Sequence, residues 1–304
     1  MEKAVKSLFV YLGLIGVFTS CENANSNSSD SLSSGTETVA VPTEAEANQS
    51  IEIFENGKTL EERIPAPKGF ERVQAPAGSF LEYTRQLSLK PSNAPVLLYN
   101  GEKKYAQHVH AAVIDMEIGK RDLQQCADAI MRLRAEYLFQ KKNFDKIHYN
   151  FTSGDKAEYT KFAEGYRAIV SGNNVSWKKK EAADYSYNTF RKYMDLVFMY
   201  AGTASLEKEL IPVDVFSNIE PGDVLIQGGH PGHAVVVMDV AIHPGSGEKV
   251  FLLAQSYMPA QDIHILNNPS NSQLSPWYSA AAQGDVVTPE WLFQTTNLKR
   301  FAVW

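Results

Sequence analysis

The stretch IEPGDVLIQGGHPGHAVVVMDV, residues 219–240, decides how the rest of the chain is read. Asp223 to Gln227 is a short apolar run, Gly228-Gly229-His230-Pro231-Gly232 interrupts it, and His233 opens a second run that continues to Ile242. Runs rich in β-branched residues and bounded by Gly and Pro are strands. A third run, Lys249 to Ser256, follows the turn residues Pro244-Gly245-Ser246-Gly247, so the second and third runs form a hairpin. In an antiparallel hairpin the start of one strand faces the end of the other, which brings Gln255 beside His233.

Upstream of this region the pattern is more helical. Asp122 to about Lys142 is the clearest helix, with Asp122 and Gln125 spaced as an N-cap and N3 pair. Cys126, Ile130, Leu133 and Tyr137 then fall on one stripe. Ser79 caps a helix over 79–89, and 96–99 with 104–116 reads as a hairpin about the Asn100-Gly101 turn. A short strand covers 147–152. Residues 156–169 and 187–200 read as two further helices joined by a polar stretch around Gly172-Asn173-Asn174, and Lys178-Lys179-Lys180 as a solvated face or loop. Helices first and an antiparallel sheet after them make an α+β chain.

The first residues stand apart. Lys3 and Lys6 precede the apolar run Leu8 to Phe18, which is too short for a comfortable membrane span of about 20 residues and matches a signal-peptide core. Phe18-Thr19-Ser20-Cys21 resembles the lipobox of bacterial lipoproteins, in which the cysteine is acylated after cleavage, so Cys21 is the expected lipidation site. Residues 22–60 are mostly Ser, Asn, Thr and Glu and read as a flexible tether, because so few apolar groups cannot offset the entropy of ordering. Residues 61–304 are the expected single globular domain. This organisation predicts a membrane-anchored lipoprotein of the cell envelope, facing the periplasm or the exterior.

A formal net charge of −6 argues against a nucleic-acid partner. His230 and His233 alone make a weak metal motif with no Cys or carboxylate at ligand spacing, so neither a metal nor another cofactor is expected. The chain has two cysteines, and once Cys21 is lipidated Cys126 has no partner for a disulfide. A lone thiol in an oxidising compartment is either buried and inert or kept for its reactivity.

Cys126 at the start of a helix, Pro221-Gly222-Asp223 opening a strand, Gly232-His233 opening the next, and Gln255 on the one after resemble the NlpC-type cell-wall hydrolases of the papain-like superfamily. Over most of its globular part the chain also resembles an uncharacterised family of bacterial lipoproteins, which implies no known activity. The first resemblance implies an α+β, papain-like core, a helix bearing Cys126 packed on a small antiparallel sheet, here with inserted helices. It also implies Cys126 as nucleophile, His233 as base and Gln255 as the residue that orients the imidazole, acting on amide bonds such as those of cell-wall peptides. The capping pair at Asp122 places Cys126 near the fourth helical position, and its place on the apolar stripe equally fits an inert core residue. Gln124 or Gln125 is a candidate oxyanion-hole donor beside the Cys126 amide.

Three other groups carry a sharper and a blander reading. His108 and His110 alternate on one face of a strand, as a second histidine pair or as satisfied core or edge residues. Arg132, Arg134 and Glu136 make internal ion pairs or clamp a substrate carboxylate. Tyr149, Trp177, Trp277 and Tyr278 pack the core or line a groove for a peptide or glycan ligand. The competing functional expectation is a non-catalytic binding lipoprotein with the same cleft.

Overall fold

The run that begins at residue 233 is the spine of the molecule: in the computed structural model, which describes residues 50–304, it is one strand of ten residues, nine of them buried. In chain order the strands are β1 (Glu71–Arg72), β2 (His110–Val113), β3 (His148–Asn150), β4 (Lys156–Glu158), β5 (Tyr166–Ser171), β6 (Asn174–Lys179), β7 (Ile211–Pro212), β8 (Val224–Gln227), β9 (His233–Ile242), β10 (Lys249–Gln255), β11 (His264–Leu266), β12 (Tyr278–Ser279), β13 (Asp285–Val287), β14 (Leu292–Gln294) and β15 (Leu298–Arg300). The helices are α1 (Leu60–Arg63), α2 (Phe80–Arg85), α3 (Cys126–Gln140), α4 (Tyr159–Ala163), α5 (Tyr187–Tyr200) and α6 (Thr203–Glu209). Residues 1–49 lie outside the described part, and with them the expected signal peptide, Cys21 and most of the tether.

Nine strands form one sheet in the order β2-β11-β10-β9-β8-β15-β7, with β1 also on β9 and β12 also on β10. Every pair in it is antiparallel. The expected papain-like core, one helix on a small sheet with inserted helices, is therefore not the architecture. Four of the six described helices have seven residues or fewer. The sheet is large because β1, β2, β7, β11, β12 and β15 extend it, each two to four residues long. A strand that short has no legible period-2 pattern, so its pairing is set by the neighbours it finds.

One expected helix dissolves for a related reason. Within 156–169 only Tyr159–Ala163 is helical; Lys156–Glu158 pairs with β3, and Tyr166 onward pairs with β6. The Gly172-Asn173-Asn174 stretch is the turn of that β5–β6 hairpin, with Gly172 at φ +59, and the lysine run lies at the end of β6 and just past it. The expected 233–242 with 249–256 hairpin is present, with a bulge between Leu252 and Leu253.

Both faces of the sheet are covered. Ala234, Val236, Leu252 and Ala254 join Ala127, Ile130 and Leu133 of α3 in one core. Val235, Val237, Phe251 and Leu253 join Phe216, Tyr278, Phe293 and Leu298 in a second, on the opposite face. At the middle of β9, fully buried Asp239 accepts from Arg72 Nε at 2.7 Å and from Arg85 Nη2 at 2.7 Å, which ties β1 and α2 to the sheet.

Candidate functional site

The polar positions of the two central strands come together at one end. His233 opens β9 and Gln255 closes β10, and His233 Nε2 lies 2.8 Å from Gln255 Oε1 with both residues buried. This is the juxtaposition that the hairpin register implied. Gly232, just before the histidine, has no room for a side chain: a Cβ there would stand 2.6 Å from the Gly229 carbonyl oxygen and 2.8 Å from that of Gln227. The turn therefore needs glycine if His233 is to enter the strand at this point. The Pro221-Gly222-Asp223 motif is architectural. Gly222 holds φ +90, and Asp223 accepts from Glu220 N at 2.8 Å and Arg300 Nε at 2.6 Å, locking the turn to β15.

The thiol arrives from the other side of the sheet. α3 starts at Cys126 itself, with Gln125 as N-cap, and not at Asp122. Asp122 does not cap because its carboxylate accepts from Ala260 N at 2.7 Å and from Gln125 Nε2 at 3.1 Å. The reciprocal partner of the cap is Asp128, whose Oδ2 accepts from Gln125 N at 3.0 Å. Cys126 consequently sits in the first helical position, where backbone amides have no partner within the helix, and it is half-buried, unlike the fully covered Ile130 and Leu133 behind it.

Cys126 and His233 line the same cleft, of about 480 Å³, together with Gln125, Asp128, Tyr257 and Trp291. Among the described residues no hydrogen bond joins the thiol to the imidazole. Burial pushes the Cys126 thiol up to about 11, helped by the Asp128 carboxyl, against the backbone amides of Ala127 and Ala234 that face the sulfur. Burial also pulls His233 down to about 4, against its bond to Gln255. At neutral pH the pair is an uncharged thiol and an uncharged imidazole. Asp128 is likewise pushed up to about 8 by burial, and among the described residues its Oδ1 has no partner. Among the described residues no Lys or Arg lines the cleft.

The imidazole is held by a wall of rings. Tyr257, Trp291 and Phe293 lie with centroids 4.8, 5.3 and 5.8 Å from it, and Trp291 Nε1 donates to Gln227 Oε1 at 2.9 Å. Behind it, Gln255 Nε2 lies 2.7 Å from Glu290 Oε2 and 3.3 Å from His264 Nε2, and Glu290 Oε1 pairs with buried Lys104 at 2.7 Å. Asp128, His264, Glu290 and Trp291 were not singled out in the sequence. Asp128 was readable as an N3 acid once the helix start was known. The other three depend on strand register and on a turn that no local pattern specifies.

The remaining sequence candidates separate. His230 reaches the cleft rim and is exposed. His108 lies in a single 3-10 turn and only His110 belongs to β2. Arg132 bonds Glu136 at 2.6 Å and takes Gln124 Oε1 at 3.1 Å, so Gln124 points along the helix and away from an oxyanion role, while Gln125 stays at the cleft. Of the two readings of the named aromatics, core packing holds and the groove does not. Tyr149 and Trp277 belong to the first core, Tyr278 to the second, and Trp177 packs against the first from the β5–β6 hairpin.

Neither a curated protein nor a solved structure was found to match the chain. A family model does match it, over residues 60–300, and the chain belongs to that family, described as domain of unknown function 4846.

Proposed function

We propose that this protein is a lipid-anchored cell-envelope thiol hydrolase or acyl-transferase acting on amide bonds, with cell-wall peptides as the substrate class. Cys126 is the nucleophile, His233 the general base and Gln255 the residue that orients it. One observation carries the reading: the sole cysteine of the described residues opens a helix in the same cleft as an imidazole already held by an amide. The chemistry follows the motif resemblance and takes nothing from the fold it implied. The anchor and the location rest on residues 1–21 as a sequence.

With both groups uncharged at rest, attack is base-assisted. As the sulfur bonds to the substrate carbonyl carbon, its proton passes to the imidazole and the carbonyl π electrons move to oxygen. The amides of the first turn of α3, which have no partner within the helix, are the donors nearest that oxyanion, with the Gln125 side chain beside them. Collapse expels the amine, which takes the proton back from the imidazole. Water, or an acceptor amine in a transferase, then releases the acyl group by the reverse sequence.

The test is to incubate the purified chain with peptide fragments of cell wall and follow new amino termini by mass spectrometry. Cys126→Ala and His233→Ala should each lower the rate by about 10²-fold or more, with Cys126→Ala leaving the thermal transition in place. Cleavage that persists in Cys126→Ala overturns the reading.

A second reading is favoured by the raised thiol: a cleft that binds the same class of ligand without reacting. It predicts binding that is equal in wild type and Cys126→Ala, with no cleavage by either.

A further inference from the structure

Four polar groups lie in a line through three neighbouring strands. His233 is on β9, Gln255 on β10, and His264 on β11 directly opposite Gln255 in the register. The line ends at the Asp262 backbone carbonyl, 2.9 Å from His264 Nδ1. A carbonyl only accepts, so His264 Nδ1 carries a hydrogen, and in a neutral ring its Nε2 must then accept. The His264 ring is neutral at any ordinary pH, since complete burial pulls it down to about 3.

Gln255 therefore faces two acceptors on one side, His264 Nε2 at 3.3 Å and the Glu290 carboxylate at 2.7 Å. Only the NH₂ end of the amide satisfies both, one hydrogen for each. That leaves Gln255 Oε1 toward His233, and an oxygen there demands an N–H on His233 Nε2.

Glu290 is the stronger of the two determinants. It is the charged and closer acceptor, and it is itself held in place. It sits at the tip of the β13–β14 hairpin, in a turn closed by Thr288 N to Trp291 O at 2.9 Å and Trp291 N to Thr288 Oγ1 at 3.1 Å. Its other oxygen is fixed by Lys104, whose ammonium also stands over the Tyr257 ring at 5.0 Å. The same tip supplies Trp291 to the His233 ring.

We infer that Glu290 is a positioning residue: from the tip of the β13–β14 hairpin it fixes the orientation of the Gln255 amide, so that His233 carries its proton on Nε2 and presents Nδ1 as the base. Its catalytic meaning rests on the hydrolase reading above; the tautomer itself does not.

The test reads the tautomer directly, by nitrogen NMR of the His233 ring in protein labelled at histidine, near pH 7. Wild type should show one species, protonated at Nε2 and bare at Nδ1. Glu290→Ala should show a second species protonated at Nδ1, because the amide is then held by His264 alone. Glu290→Gln should restore the wild-type spectrum, since its amide oxygen can still accept from Gln255. Any cleavage rate should fall in proportion to the Nε2–H fraction lost, in kcat more than in KM. An Nδ1–H tautomer in wild type overturns the inference even if the variants do not fold. An unchanged single tautomer in folded Glu290→Ala overturns it too. The absence of cleavage in wild type, with the tautomer behaving as stated, would count against the hydrolase reading and leave the positioning intact.

Discussion

Asp239 and Asp128 are both buried, one at the middle of β9 and the other in the first turn of α3, and their surroundings treat them in opposite ways. Asp239 has guanidinium donors on both oxygens, Arg72 Nε at 2.7 Å on one and Arg85 Nη2 at 2.7 Å on the other, with Val240 N adding a bond at 2.8 Å. Asp128 accepts from Gln125 N on Oδ2, and among the described residues its Oδ1 has no partner. A buried charge persists where it is paired and hydrogen-bonded; where it is not, the group takes up or gives up a proton and becomes neutral. The middle of the sheet is thus a neutralised staple. The cleft end is a set of three groups, thiol, imidazole and carboxyl, that burial keeps uncharged. Uncompensated polar chemistry in a cleft is where function is expected, and compensated chemistry is where architecture is.

The sharpest way to break the contrast is at the staple. Arg85→Met leaves Asp239 half-neutralised in the sheet, and removing one partner of a buried ion pair costs about 3–5 kcal/mol. Urea unfolding should show that loss in the midpoint, with the cleft chemistry unchanged until the protein unfolds. A loss below about 1 kcal/mol would mean that Arg72 alone suffices and that the staple is not a unit.

A smaller effect is expected at Asp128. Its folded carboxyl sits at about 8, against an ordinary value near 4 in the unfolded chain. Between those values the unfolded chain has given up a proton that the folded chain keeps. Stability therefore falls as pH rises through that window and stays low above it. Asp128→Asn keeps an acceptor for Gln125 N and cannot ionise. Thermal melts from pH 5 to pH 9 should converge at the acid end, with the variant the more stable by about 1 kcal/mol or more at the alkaline end. Parallel curves would show that Asp128 is ionised in the fold and has found a partner.

The legibility of the sequence follows the same division. The β8, β9 and β10 runs were readable because each is long enough to carry a buried pattern between Gly and Pro breaks, and the β9–β10 turn placed Gln255 beside His233. The size of the sheet was not readable, because β1, β7 and β12 have two residues each and pair only once the spine exists. The helix start was misplaced because Asp122 has the right chemistry for a cap and spends it on Ala260 N, a partner 138 residues away. Glu290 and His264 were invisible for the same reason as the short strands: their roles exist only in the register between elements.

The cleft rests uncharged, and the most direct measurement of that is the rate of Cys126 alkylation by iodoacetamide between pH 6 and pH 10. A thiol held at about 11 gives a rate that climbs about tenfold for each pH unit across that range without levelling. A rate that levels below pH 8 would mean a thiolate already formed beside a charged His233, and would contradict the contrast between the staple and the site.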